Sequence, residues 1–442
     1  MKKKGWNKNV WCILFSFFTV VIFGQTRELS LEESIAIALE GNIDIKKGKN
    51  NLKEAAHNTF TSYAELFPKV EIFSNAFGSK GNTFDELTGQ LRTTSGDFVN
   101  VSLTATWDIL QVLRKYSTVK YAKNNKTNVS LGLENTKDET VLKVVQAYLE
   151  TLQSIDQGVI LQEFINTQSE NLEQVNEMVK LGRMAGQDYL FQRAELSSLS
   201  SALVENENII NQRKNRLRLL LGIDMSIPLE LKKVILPEDQ LRLYSKASID
   251  SLYEEAIDKR NDVNSRKYEV ASLKSQLHLK RADYYPNINL FYRYGSGYSS
   301  FQELSFQDQF FTNNKFEAYG VEVVIPVLNG NKFRNETYKS KIAYENSKLD
   351  LKQYKNTVYS QISDGQYTVA KGIEEVVHRK DRLVFTKQNY DMSREKYFLQ
   401  ASSSQELSIA YRDFIEAELL LSQASYELHY SIYEMNYYIG NL

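Results

Sequence analysis

Residues 99–107 read Val-Asn-Val-Ser-Leu-Thr-Ala-Thr-Trp. Successive side chains of a strand point to opposite sides, so Val99, Val101, Leu103, Ala105 and Trp107 share one face. Asn100, Ser102, Thr104 and Thr106 share the other. The stretch from Val70 to Gly78 alternates in the same way, after Pro68 ends a helical pattern. Ile288, Leu290, Tyr292 and Tyr294 repeat the alternation farther along, followed by Tyr319, Val321, Val323, Ile325 and Val327. Four strands of about 10 residues are long enough to cross a bilayer. Gly-, Ser-, Thr- and Phe-containing loops are expected over 79–97 and 295–315.

The recurrence extends to the whole chain. A shift of 218 residues brings Ala38 onto Ala256, Asp44 onto Asp262, Pro68 onto Pro286 and Gly222 onto Gly440. The heptad ladder Leu196, Leu203, Ile210, Leu217 then meets Phe414, Leu421, Leu428, Met435. Around the second strand of each half the shift becomes 220, as for a surface loop two residues longer. The sequence therefore predicts two copies of one unit, 25–222 and 248–442, joined by a linker at 223–247 that holds Pro228 and Pro237.

Each copy runs through a helix, a strand pair, a long helix, a turn and a returning helix. The first helix, 30–67, starts at Ser30, an N-cap residue type. Residues 108–182 lack proline and carry Val141, Val145, Tyr148, Leu152, Ile155 and Val159 at a coiled-coil period. The spans 30–67 and 188–221, laid end to end, match 108–182 in length, and 248–285 with 406–440 match 329–400. At 1.5 Å per residue the long helix makes a rod of about 110 Å.

Composition narrows the function. The chain has 442 residues, 54 basic against 55 acidic, so it has no global basic footprint and no nucleic-acid partner is expected. A mean hydropathy of −0.42 excludes a multi-helix membrane transporter. Five prolines and 20 glycines suit long uninterrupted elements. Lys2, Lys3, Lys4 and Lys8 precede an apolar run from Val10 to Phe23, the pattern of a secretory signal peptide over 1–24. Cys12, the one cysteine, lies inside that run, so the exported chain is expected to work without sulfur chemistry. His57, His278, His378 and His429 show no metal spacing, and no phosphate loop or serine nucleophile elbow is present. No catalytic residue, metal or cofactor is expected, and an enzyme is not.

Four membrane strands cannot close, and an open sheet edge in lipid is prohibitively costly. Closed symmetry completes them most simply, and three copies give twelve strands with twelve helical columns. The expected fold is mixed α and β: a long α-helical coiled-coil barrel plus four transmembrane β-strands per chain, completed as a homotrimeric 12-stranded β-barrel.

At this point the sequence resembles the TolC-like outer-membrane efflux protein family. The resemblance spans essentially the whole chain after residue 24. It rests on the duplicated order of elements, on Leu-Phe-Pro68 and Tyr-Tyr-Pro286, on Ile325-Pro326-Val327-Leu328-Asn329-Gly330, and on Leu-Leu-Gly222. It implies a homotrimer integral to the bacterial outer membrane and its lipid, with a long periplasmic extension. It also implies a periplasmic adaptor (membrane fusion) protein and an inner-membrane RND or ABC transporter as partners. The turns Leu181–Asp188 and Phe398–Glu406 would dock that adaptor, with Gly182, Arg183, Gly186, Gln400 and Ser402 at the tips. In the second copy Gln400 stands where the tip glycine is expected, and Ser402 where the family often has arginine.

Asp188 and Glu406 occupy equivalent positions and, in three copies, would ring a narrow mouth with negative charge. Each can equally serve as a first-turn helix acid. By resemblance Tyr397 ties neighbouring helices at a closed mouth with Asp188 as acceptor; a packing role is the simpler alternative. Ser102, Thr104, Asn289, Arg293 and Glu322 would line the barrel lumen, while Trp107 and Tyr319 suit an interfacial girdle. The reading is the exit duct of a tripartite efflux pump, passing small molecules passively. The duct of a type I protein secretion system shares the architecture, and a trimeric rod or adhesin is the alternative of another class.

Overall fold

The computed structural model describes residues 28–85, 89–109, 112–234 and 247–442. The expected signal peptide at 1–24 lies outside them, as does the linker segment 235–246. Eight long helices and two sheets are seen among the described residues. Strand β1 (Glu28–Leu29) leads into α1 (Leu31–Gly41) and α2 (Ile43–Ala64), followed by β2 (Lys69–Asp85), β3 (Gln90–Asp108), α3 (Val112–Lys180) and α4 (Gly186–Leu221). After β4 (Glu230–Leu231) come α5 (Ile249–Lys259), α6 (Asn261–Ala282), β5 (Asn287–Ser299), β6 (Phe316–Val324), α7 (Lys332–Phe398) and α8 (Ser404–Ile439). The large sheet is antiparallel in the order β2-β3-β5-β6; β1 and β4 form a separate parallel pair.

Three expectations need correction. The span 30–67 is two helices, because Asn42 ends one and caps the next: its Oδ1 accepts from Asp44 N and Ile45 N at 2.8 and 3.4 Å. Ser30 caps α1 as expected, in a reciprocal capping box with Glu33. Second, α1 does not extend the column. It lies beside α3 and α4, burying Leu31 and Ala38 against Val144, Tyr148 and Leu221. The column opposite the 69 residues of α3 is therefore α4 and α2, of 36 and 22 residues. Third, residues 79–97 are largely paired strand rather than loop: the β2–β3 ladder continues to Asp85↔Gln90. Polar residues on both faces of that extension leave no period-two apolar signal to read.

The columns meet end to end at mid-height. A Cβ on Gly41 would collide with the Leu221 carbonyl, and one on Gly222 with Gly41 and Asn42, so the end of α4 abuts the start of α2. The joint is held by Asn42 Nδ2 donating to Leu220 O at 2.9 Å. At the corresponding joint, Arg260 Nη1 donates to Tyr438 O at 3.2 Å. Arg260 also forms a buried bidentate pair with Asp262, at 2.6 and 3.0 Å, and Asp262 accepts from Tyr354 Oη at 2.7 Å. Burial pushes the Asp262 carboxyl up, but the bonds and charge of Arg260 outweigh it and hold the carboxyl below its ordinary range. Around the first joint Tyr148 is fully buried, its hydroxyl 2.7 Å from the carbonyls of both Leu29 and Lys232, which fastens the β1–β4 pair to α3.

Burial lowers the pKa of His429, on α8 beside Tyr426, to about 4. Below pH 6.5 the unfolded chain takes up a proton there that the folded chain refuses, so this contribution to stability is lost as pH falls from 6.5 to 4. A His429→Phe variant is expected to lose about 2 kcal/mol less than wild type across that window. Urea unfolding of detergent-purified protein at both pH values measures it; parallel losses would exclude the effect.

Candidate functional site at the helical tip and the sheet

Two regions carry the expected working residues. The first is the far end of the helices. Both tip turns use the same C-cap. Gly182 (φ +73°) donates to Val179 O and Arg183 to Met178 O, each at 2.9 Å. Gln400 (φ +63°) donates to Tyr397 O at 2.9 Å and Ala401 to Lys396 O at 2.8 Å. This is the bonding of a Schellman motif, whose left-handed residue is ordinarily glycine. Gln400 takes that conformation against the steric preference of an L-residue. Its side chain gains a partner there, since Gln400 Nε2 donates to Arg183 O and ties the two tips together.

The acids are less alike than their positions suggest. Glu406 is exposed in the first turn of α8, where Ser403 Oγ accepts from its backbone N–H at 3.2 Å and Ser402 Oγ donates to its Oε2 at 2.5 Å. Asp188 is partly buried in the first turn of α4. Tyr397, on α7, is 3% exposed in a core with the aromatic Phe164, Tyr390 and Tyr411 and the aliphatic Val175, Leu407 and Ile415. Its hydroxyl does not reach the expected acceptor Asp188; it lies beside Gln192 without a well-aligned hydrogen bond. Burial, with the Asp188 charge adding to it, pushes the phenol up to about 12. Gly186 starts α4 with open space around its Cα.

Sequence reasoning missed the polar contacts behind the tips. Asn171 Nδ2 donates to Tyr390 Oη at 3.1 Å, and Arg394 Nε to Asn171 Oδ1 at 2.8 Å. Ser408 Oγ donates to Glu195 Oε1 at 2.7 Å. These residues sit on separate elements, and only the fold brings them together.

The second region is the large sheet. Residues paired across an antiparallel ladder share a face. The pairs Glu71↔Thr104, Thr104↔Arg293, Ser102↔Gly295 and Asn289↔Glu322 therefore put all five expected lumen residues on one face. Ile72↔Leu103, Ala105↔Tyr292 and Leu290↔Val321 make the opposite face apolar; Ile72, Tyr292 and Val321 are exposed and the other three half-buried. Trp107, at the lower end of that face, donates its indole N–H to Leu66 O at 2.9 Å. Outer strands β2 and β6 each leave one edge unpaired among the described residues. Among the described residues no helix is long and apolar enough to cross a membrane, and no cluster of three or more His, Cys, Asp or Glu could hold a metal.

A two-faced antiparallel sheet mounted on helices of this length is the fold of outer-membrane channels. The outer-membrane channel OprN superposes with a TM-score of 0.79 at 15% identity, over 93% of this chain and 90% of its own. VceC from Vibrio cholerae gives 0.78 at 13%, over 93% and 96%, and the Campylobacter jejuni CmeC channel 0.78 at 16%, over 93% and 85%. The sequence profile of the outer membrane efflux protein family matches twice, over residues 35–223 and 252–439. This chain belongs to the outer membrane efflux protein family.

Gln400 offers a test of the tip. Gln400→Ala is expected to lower the midpoint of thermal unfolding, because the bond to Arg183 is lost and the left-handed strain of about 1 kcal/mol remains. Gln400→Gly loses the same bond but relieves the strain, so its midpoint should lie above that of the alanine variant. The reverse order, read by circular dichroism, would contradict the strained-cap account.

Proposed function

We propose that three copies of this chain close into an outer-membrane channel, the exit duct of a tripartite efflux pump through which small molecules pass passively outward. The observation that carries the reading is a match of order. α3 is flanked by α2 and α4 on one side and by α6 and α8 on the other, with α7 beyond them. The strands run β2-β3-β5-β6. Each strand thus stands over its own column, and both layers end at the same two borders.

Those borders are apolar and unpartnered among the described residues. On α7, Ile342, Leu349, Val377 and Val384 are exposed at multiples of seven residues, and on the other border Phe60, Leu190 and Val204 are exposed. Joining β6 and α7 of one copy to β2, α2 and α4 of the next satisfies strand edge and helical face in one head-to-tail contact, which closes as a ring. Three copies give twelve strands. The recurrence of caps and joints at a constant shift supports a duplicated unit, 25–222 and 248–442, with 223–247 as the equatorial linker after a signal peptide at 1–24.

In this duct the polar sheet face, with Ser102, Thr104, Asn289, Arg293 and Glu322, lines the lumen. Gly182, Arg183, Gly186, Gln400 and Ser402 present the tips to a periplasmic adaptor joined to an inner-membrane RND or ABC transporter. Asp188, Tyr397 and Glu406 form the periplasmic gate, and no residue is assigned a catalytic role. Native mass spectrometry with electron microscopy of detergent-purified protein tests the assembly. A trimeric cylinder about 100 Å long supports the reading, and a monomer or compact particle overturns it. In planar bilayers the channel is expected to conduct, and Glu406→Gln to weaken its cation preference. Unchanged selectivity would remove Glu406 from the gate.

A further inference from the structure

The segment between β5 and β6 is a fixed body. Gln309 is fully buried at its centre: its Nε2 donates to Ser299 O and Leu304 O at 3.0 and 2.8 Å, and its Oε1 accepts from Ser299 N at 3.0 Å. Asn314 Nδ2 donates to Gly297 O at 2.8 Å. Asp308 accepts from Ser305 Oγ at 2.7 Å, which occupies one of the few charges in the segment. Around this polar centre the rings of Phe306, Phe310 and Phe311 pack on one another, with centroids 5.2 Å apart for both Phe306–Phe310 and Phe310–Phe311. Yet Phe306 and Phe311 remain 46% and 58% exposed. A segment this well braced holds its apolar rings outward as part of its fold.

The ladder tells which side they are on. Ser296 Oγ donates to Phe310 O at 2.5 Å, and the Tyr298 ring lies 5.2 Å from Phe306. Ser296 and Tyr298 pair with Val101 and Val99, so both stand on the apolar face with Leu103 and Ala105, away from Ser102 and Thr104. Height agrees. Along β3, Val99 stands eight residues from Trp107, about 20 Å along the membrane normal for a strand tilted by about 40°. Glu317, paired with Tyr294 at the level of Leu103, is the first charge on this face going up from Trp107; it lies about halfway to Val99, beside Tyr292.

We infer that the Phe306–Phe311 segment anchors the protein in the outer leaflet, its rings set among the glycerol and upper acyl groups of the lipid beside the barrel. The inference rests on the reading that this sheet spans the outer membrane. Its argument is continuity: the phenylalanines extend the apolar sheet face upward, on the side opposite the polar lumen face, where aromatic rings suit an interface. The segment is a lipid anchor and not a lid over the pore.

The test uses the full chain in vesicles, with single cysteines Phe311→Cys, Val101→Cys and Thr104→Cys labelled by a bimane. Unsubstituted chain reports any labelling of Cys12. The label at 311 should lose fluorescence to lipid carrying a nitroxide near the headgroup and keep it against aqueous iodide. Val101→Cys should respond to a nitroxide at the acyl chain end, and Thr104→Cys to iodide. If Val101→Cys responds to lipid while position 311 is quenched only by iodide, the segment faces water and the inference is overturned. Quenching of 311 by neither reagent would mean a neighbouring subunit covers it, and overturns it too. Failure of Val101→Cys to meet lipid would strike the membrane reading itself, and the inference would fall with it.

Discussion

Two strand edges that cannot be left bare in hydrocarbon govern this molecule. The backbone N–H and C=O groups along the free sides of β2 and β6 meet no strand among the described residues, and each would cost several kcal/mol if left bare in lipid. A globular protein can cover an edge with a loop or a charged side chain. In the channel proposed above, the face of Val101, Leu103 and Ala105 meets lipid, and that option is lost. In the proposed channel another strand pairs there, and the helices below inherit the geometry because every strand continues into a column.

The columns obey a second constraint, which the two halves meet with different chemistry. Wherever the end of one helix abuts the start of another, orphan carbonyls and N–H groups face each other across a dry joint. Gly222 and Gly440 turn each chain end away in the left-handed conformation. At the first joint the neutral amide of Asn42 bridges the gap, donating one way and accepting the other. At the second, Arg260 donates across and so brings a charge, which requires Asp262, Tyr354 and Gln361 around it. The corresponding position thus carries a self-sufficient cap in one half and a network of four side chains in the other.

Most of this was legible because the informative patterns were periodic. Period two marked the strands and sorted their faces, which the ladder reproduces for Ser102, Thr104, Asn289, Arg293 and Glu322. What was not legible depended on contacts without a period. The β2–β3 extension is held by its backbone ladder, with Ser, Thr, Asn and Gly outside, and so read as loop. The break at Asn42 follows Gly41 and precedes Asp44, a cap signature that the longer apolar pattern of 30–67 concealed. The strained cap at Gln400 had only its alignment with Gly182 to betray it. The side-chain bonds of Asn171, Glu195 and Arg394 depend on residues some 200 positions apart, and no local pattern announces them.

The distribution of these bonds bears on where such a rod can yield. Around the mid-height joints the packing is dry: Val144, Val145, Leu217, Leu221, Ile362 and Met435 are fully buried, and separating them would expose apolar surface. Toward the tips, α3 and α4 are joined to α7 and α8 by Asn171 to Tyr390, Arg394 to Asn171, Ser408 to Glu195 and Gln400 to Arg183. A hydrogen bond exchanged for water loses only about 1 kcal/mol, whereas a buried Leu or Ile drawn into water loses about twice that. Parting the polar links of the tips therefore costs less per contact than parting the packing at the joints. Apolar packing is present there too: Tyr397 lies in the cluster of Phe164, Val175, Tyr390 and Tyr411, and on exposure its ring would lose packing while its unbonded hydroxyl would gain water. The tips thus combine exchangeable polar links with one buried cluster, in which Tyr397 carries a polar atom that water would satisfy better than the packing does.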